Sequence, residues 1–248
     1  MAKTVTIDRD NQDIFVLEAK AVKAVSYAME GPKGARYYLK GVFVEGLDAK
    51  NMARVTATDG HILLTYALDR FAHVGRNYDK HQEGTHGFIL EMDFSEKSLT
   101  TKTVGDLWMV GNYTTGIIEF ISVCDYDDDT HLRVGVCEFS QINGIYPDWR
   151  MTVPALRKEG DDHVLSCIGL DPRLLNVIGT AFKVALPKGE PKLHINFTGE
   201  NTAMRITHSH EVCELEALLM PLRVSERTVS NRLEDDFTPV LDVEDKEE

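Results

Sequence analysis

With 248 residues, 43% of them hydrophobic and 27% charged, the chain carries enough apolar material for one large or two ordinary globular domains with a real core. It has no run of about 18 apolar residues, and its N-terminus, MAKTVTIDRDNQD, lacks the apolar segment of a signal peptide, which speaks against membrane insertion and export and predicts a cytoplasmic protein. A formal net charge of −13 argues against nucleic acid as a partner, because phosphate binding rests on Lys and Arg; yet the last 24 residues, Ser225–Glu248, hold nine acidic against three basic side chains, so about half of the excess belongs to a tail.

Taken in chain order, Ile14–Leu17 is strand-like and Lys20–Met29 has helical spacing, with Val22, Val25 and Met29 on one face and Lys20, Lys23, Tyr27 and Glu30 on the other. Gly31-Pro32-Lys33-Gly34 ends that helix. Strand-forming stretches over Arg36–Glu45 and Arg54–Leu68 follow, separated by the polar loop Gly46–Asn51. Inside the second, the polar and flexible Thr58-Asp59-Gly60-His61 interrupts what otherwise reads as one hairpin. A middle unit repeats the scheme less clearly: a strand over Gly87–Glu91, a short helix within Phe94–Lys102, then strands over Leu107–Tyr113, Gly116–Val123 and Leu132–Ile142.

The last unit is the clearest. After a strand over Val164–Ile168, Asp171 is placed to cap a helix with Pro172 at its first position. Leu174, Leu175, Ile178, Ala181 and Phe182 make its buried stripe, opposite Arg173, Asn176, Thr180 and Lys183; strands over Lys192–Thr198, Ala203–His208 and Glu214–Val224 complete it. Strand, helix, then further strands therefore recur three times. This predicts an α+β fold of repeated βαβββ units, with two units in residues 1–155, a third in 156–224, and an acidic, disordered tail over 225–248 in which Phe237-Thr238-Pro239-Val240-Leu241 could form a short docking segment.

Little in the chain reads as catalysis or cofactor binding. Cys124, Cys137, Cys167 and Cys213 are far apart, form no CxxC pair and lie in apolar strand-like contexts, which suits reduced buried thiols better than zinc or disulfides. The acidic Asp125–Asp129 reads as a hairpin loop, since it lacks liganding partners at calcium-loop spacing. His208 and His210 share a strand face but make an incomplete metal site, and Asp59 with His61 has no nucleophile in an elbow motif beside it. Taken alone, Thr58-Asp59-Gly60 reads as an Asx-type turn. The expectation is a protein without enzymatic activity, metal or cofactor.

Four segments carry a family resemblance. RYYLKGVFVEG (36–46), VTATDGHILL (55–64), GIYPDWRMTVP (144–154) and ALLMPLRV (217–224) resemble, in that order and at similar spacing, the central and C-terminal domains of the bacterial DNA polymerase III beta sliding clamp. The resemblance implies a DNA-clamp-like fold of half-modules, with continuous antiparallel sheets outside and helices on one face. It implies that Lys20, Lys23, Arg173 and Lys183 face duplex DNA, bound without sequence preference by a homo-oligomer that encircles it. It also implies a groove for hydrophobic peptide motifs of DNA polymerase and clamp loader, lined by Leu39, Thr58, Gly60, His61, Leu63, Pro147, Met151, Thr152, Leu218, Leu219, Met220, Pro221 and Leu222.

Two departures qualify what the resemblance implies. Ile62 and Met151 stand where the family commonly has arginine, so the groove should be more apolar here and favour different motifs. Three half-modules stand against six in bacterial clamp chains, an odd number that is awkward for a symmetric ring. The leading expectation is a processivity clamp. The alternative is a clamp-like adaptor or decoy that keeps the groove without closing around DNA.

Overall fold

The computed structural model describes residues 4–8, 11–31, 33–46, 53–68, 72–75, 87–95, 99, 107–122, 130–154, 168–186, 193–197, 199, 202–208 and 215–222. Its strands are β1 (Thr4–Thr6), β2 (Ile14–Glu18), β3 (Val42–Gly46), β4 (Ala53–Thr58), β5 (Ile62–Leu68), β6 (His73–Val74), β7 (Gly87–Met92), β8 (Leu107–Asn112), β9 (Ile117–Ser122), β10 (Thr130–Ile142), β11 (Leu193–Asn196), β12 (Met204–His208) and β13 (Leu215–Leu219). Two α-helices accompany them, α1 (Ala19–Ser26) and α2 (Pro172–Ala185).

Every pairing between these strands is antiparallel, and neighbours run in the order β11-β12-β13-β5-β4-β3-β7-β10-β9-β8-β2-β6, with β1 added to the start of β10. The long β10 joins the two halves by pairing with β9 over its first part and with β7 over its last, with a register shift between Arg133 and Gly135. Strand β13, far along the chain, zips onto β5 from Leu215 opposite Tyr66 to Leu219 opposite Ile62, so the sheet passes without a break from the early to the late part of the sequence.

Helix α1 is rich in alanine, and that composition suits its position. Ala19, Ala21, Val22, Ala24 and Val25 are fully buried, because the helix is enclosed by β2, β3, β4, β5, β8 and α2, where small side chains permit close approach on several sides. Only Lys20 and Lys23 reach outward, each partly covered. Helix α2 starts as its sequence predicts: the Asp171 carboxylate accepts the Arg173 N–H at 2.8 Å, with Pro172 in the first turn. Its buried face comprises Ile178, Ala181, Phe182, Val184 and Ala185, whereas Leu175 is exposed, so the stripe lies further round than the spacing of leucines alone indicates. The main core gathers Phe15, Phe88, Phe120, Leu64, Leu90 and Met109 from the strands with Val22, Val25, Ile178 and Phe182 from the helices.

One expected strand is not a strand throughout. Tyr37–Leu39 forms a 3₁₀ turn, and β3 begins only at Val42. Gly41 explains the junction: a Cβ there would sit 2.6 Å from the Leu90 carbonyl oxygen and 2.7 Å from Ile89, so the chain turns into the sheet at the one residue that can approach β7 so closely. Among the expected elements, Asp125–Asp129, the strand residues 164–167, most of Phe94–Lys102, His210, the tail, and three of the cysteines lie outside the described residues; Cys137 is described and in no disulfide, as expected, but half-buried rather than buried.

Candidate functional site

The turn between β4 and β5 is built by local chemistry. Asp59 Oδ1 accepts the backbone N–H of His61 at 2.8 Å and of Ile62 at 3.0 Å, while Thr58 Oγ1 donates to the Ile62 carbonyl at 2.6 Å and accepts from Gly60 N–H at 3.0 Å. Gly60 has φ +88°, and a Cβ there would collide with the Arg36 guanidinium, which itself donates to the Asp59 carbonyl and pairs with Glu30 at 2.8 Å. Because the Asx turn satisfies the backbone locally, the His61 ring is left exposed at the surface.

A second wall comes from the segment after β10. Tyr146 stacks on Phe43 with centroids 4.8 Å apart, in a cluster with Leu39 and Ile89. The next residues form a 3₁₀ turn over Trp149–Thr152, started by Asp148 accepting from Arg150 N–H and closed by the Thr152 hydroxyl on the Trp149 carbonyl at 2.6 Å. Trp149 packs with Leu63 and Leu218. Its indole N–H donates at 3.1 Å to Glu45, a buried carboxylate at the end of β3 that also pairs with Arg150, and the guanidiniums of Arg54 and Arg150 lie 5.3 and 4.7 Å from its ring. This latch binds the turn to the sheet.

The third wall is the end of β13, where Met220 N–H donates to the His61 carbonyl at 3.0 Å and Leu222 N–H to the Gly169 carbonyl at 2.8 Å. The three walls enclose one cavity of about 260 Å³ lined by Arg36, Tyr38, Leu39, Thr58, Gly60, His61, Ile62, Leu63, Pro147, Trp149, Thr152, Ala203, Leu218 and Met220. Segments lying more than 180 residues apart in sequence thus meet at one mouth. Beyond the lining, hydrogen bonds from the Arg173 side chain and backbone hold the Asp171 carboxyl below the usual carboxylate range, with a smaller contribution from the His61 imidazole.

Nine of the thirteen residues expected at a groove line this cavity: Leu39, Thr58, Gly60, His61, Leu63, Pro147, Thr152, Leu218 and Met220. Four do not. Leu219 is fully buried in the main core, because adjacent strand residues point to opposite faces and Leu218 takes the cavity side. Met151 is 83% exposed on the outer side of its turn, and Pro221 and Leu222 lie past the rim. Ile62, expected to make the groove more apolar, does line it, and Arg36, Tyr38, Trp149 and Ala203 join the lining without having been expected there. Glu45 belongs to the site as well, and its trace in the sequence is faint: an acidic residue closing the apolar run VFVE.

The four basic residues expected to face DNA have varied surroundings. Lys20 pairs with Glu18 at 2.9 Å and Arg173 with Asp171 at 2.6 Å. Lys23 donates to the Phe94 carbonyl at 2.6 Å and lies 5.1 Å from the Tyr27 ring centre; its burial lowers the ammonium below its ordinary value, an effect that Asp93 opposes in part. Lys183 is exposed in the last turn of α2. Among the described residues no cluster of His, Cys, Asp and Glu could hold a metal, and no helix is long and apolar enough to cross a membrane.

Antiparallel sheets joined through β10 and β13, with two helices packed against each other beneath them, define the fold of DNA sliding clamps. The solved structures that the chain resembles include the DNA polymerase III beta subunit of Thermotoga maritima (TM-score 0.54, 14% identity, 89% of this chain and 68% of that one), and the DNA polymerase sliding clamp of Pseudomonas aeruginosa (0.52, 16%, 86% and 66%). A third is the sliding clamp of Bartonella birtlesii bound to griselimycin (0.52, 15%, 85% and 66%). The chain spans about two thirds of the length of these clamps. No protein-family model and no curated protein matches it.

Proposed function

We propose that the protein is a sliding clamp, a non-enzymatic processivity factor of three half-modules that encircles duplex DNA as a homo-oligomer in the cytoplasm and tethers DNA polymerase and clamp loader through the cavity between β5, β13 and the Trp149 turn. The observation that carries this reading is the convergence of four separated segments on one apolar cavity in a clamp fold. The physics suits an extended hydrophobic peptide: Leu39, Leu63, Leu218 and Met220 offer adaptable apolar walls, while Thr58 and His61 supply polar atoms at the rim. Strand β11, all four of whose residues are exposed, ends the described sheet and supplies an edge on which another copy could extend it.

A second reading, a clamp-like adaptor or decoy that never closes around DNA, is favoured by the ion pair at Lys20, the partial burial of Lys23 and the ion pair at Arg173, which leave little free positive charge on those faces. Light scattering coupled to chromatography at micromolar concentration separates the two: a closed oligomer is expected, and a stable monomer would sink the ring. The cavity is tested by titrating griselimycin against the native chain and a His61→Ala, Met220→Ala double variant. Both side chains are largely exposed, so the melting temperature should hold while affinity drops at least tenfold. Equal affinity would remove the cavity from the reading.

A further inference from the structure

The rim of the cavity is also where the described chain ends. Met220 lines the cavity, Leu222 is anchored to Gly169 two residues later, and a further 26 residues follow. Their composition is uneven. Around acidic Glu234-Asp235-Asp236 and Asp242, Glu244, Asp245 stands one uncharged apolar stretch, Phe237-Thr238-Pro239-Val240-Leu241, which contains the only aromatic residue after Leu222.

Length, conformation and chemistry all match this stretch to the cavity. Fourteen residues separate Leu222 from Phe237; fully extended they reach about 50 Å, and as a coil about 20 Å, so the linker can lead away from the rim and return to it. Pro239 fixes its own φ and biases Thr238 toward an extended backbone, the form an extended-peptide groove accepts, and so reduces the ordering cost of docking. Phe237, Val240 and Leu241 supply apolar side chains for walls made of Leu39, Leu63, Leu218 and Met220. The flanking acids keep the stretch hydrated when it is not docked.

We infer that Phe237–Leu241 is an intramolecular ligand of this cavity, which partner peptides must displace. The inference rests on the reading of the cavity as a peptide site. Tethering gives the stretch an effective concentration on the order of 1 mM, so a tail affinity of about 0.1 mM would weaken the apparent affinity of any competitor about tenfold. Partners with strong motifs would still bind, and weak ones would be excluded.

The test uses full-length protein, native and with Phe237→Ala and Leu241→Ala together, and two probes: griselimycin and a fluorescein-labelled synthetic peptide of residues 233–243. Expected results are that the labelled peptide binds the double variant, that Met220→Ala added to that variant abolishes binding, and that the native chain binds both probes about tenfold more weakly. If the peptide fails to bind the double variant, the inference is overturned. Griselimycin binding in that same sample would leave the cavity reading standing, and its failure as well would remove both. Equal affinity of native chain and double variant for the probes would overturn intramolecular occupancy, as would protection that disappears on dilution, since that would place the stretch in the cavity of a second copy.

Discussion

The cavity and the helix faces make an instructive contrast. Around the cavity, polar groups are used up in holding backbone: Asp59 and Thr58 close the turn, Glu45 clamps Trp149 and Arg150, and the apolar side chains are left facing inward at the mouth. On the helices the reverse holds. Three of the four charges are engaged, by Glu18, by the Phe94 carbonyl and by Asp171, and Lys183 alone of the four stays exposed without such a bond among the described residues. A rigid apolar cleft can bind a peptide with useful affinity, whereas a face whose cations are already paired can contribute only weak, salt-sensitive contact with phosphates.

The largest effect expected from breaking this contrast is at Trp149. It is 7% exposed, packs on Leu63 and Leu218, and with Arg150 ties the turn to the Glu45 carboxylate. Trp149→Ala should cost about 3–5 kcal/mol of stability in urea unfolding and remove the binding proposed for the cavity, because the wall that carries Pro147 and Thr152 loses its anchor. A loss below about 1 kcal/mol would show that the turn is held by something other than the indole.

Intermediate effects are expected in the DNA contact proposed above. Each phosphate neutralised contributes about 0.9 to the slope of log affinity against log salt. Lys183→Ala, which removes an exposed cation, should therefore flatten the slope by about that amount, and Arg173→Ala, where the cation is exposed but paired, by less because Asp171 competes for its guanidinium. Lys20→Ala and Lys23→Ala should change it little. Equal losses at all four positions would mean that the internal pairings open when DNA arrives.

How far the sequence foretold this depends on whether the deciding interactions are local. The Asx turn at Asp59 and the capped start of α2 at Asp171 were legible, because each is made by a side chain bonding backbone within three residues. The 3₁₀ turn at Tyr37–Leu39 was not, since it is imposed by the approach of Gly41 to β7, a contact made across nearly fifty residues. Leu219 was placed at the cavity because the motif around it is contiguous in sequence, while a strand deals alternate residues to opposite faces. The Glu45–Trp149 latch joins residues 104 apart and leaves only a faint local trace.

The smallest effect concerns pH and separates the helix face from the core. Burial lowers Lys23 below the ordinary ammonium value of 10.5, with Asp93 opposing in part, so between the folded value and 10.5 the unfolded chain holds more protons on this group. Stability from Lys23 therefore rises as pH climbs through that window. Tyr113 and Tyr146 act in the opposite sense: burial pushes both phenols well above 10.0, so above pH 10.0 the unfolded chain ionises first and stability falls. The two trends are separable by difference. Melting temperatures of native protein and Lys23→Met, measured from pH 7 to 10.5, should differ most in the variant's favour at neutral pH and converge toward the alkaline end, whereas Tyr146→Phe should diverge from native only above about pH 10. A native-minus-Lys23→Met difference that stays flat with pH would mean that the ammonium is as well solvated in the fold as outside it, and Lys23 would then return to the set of cations available to DNA.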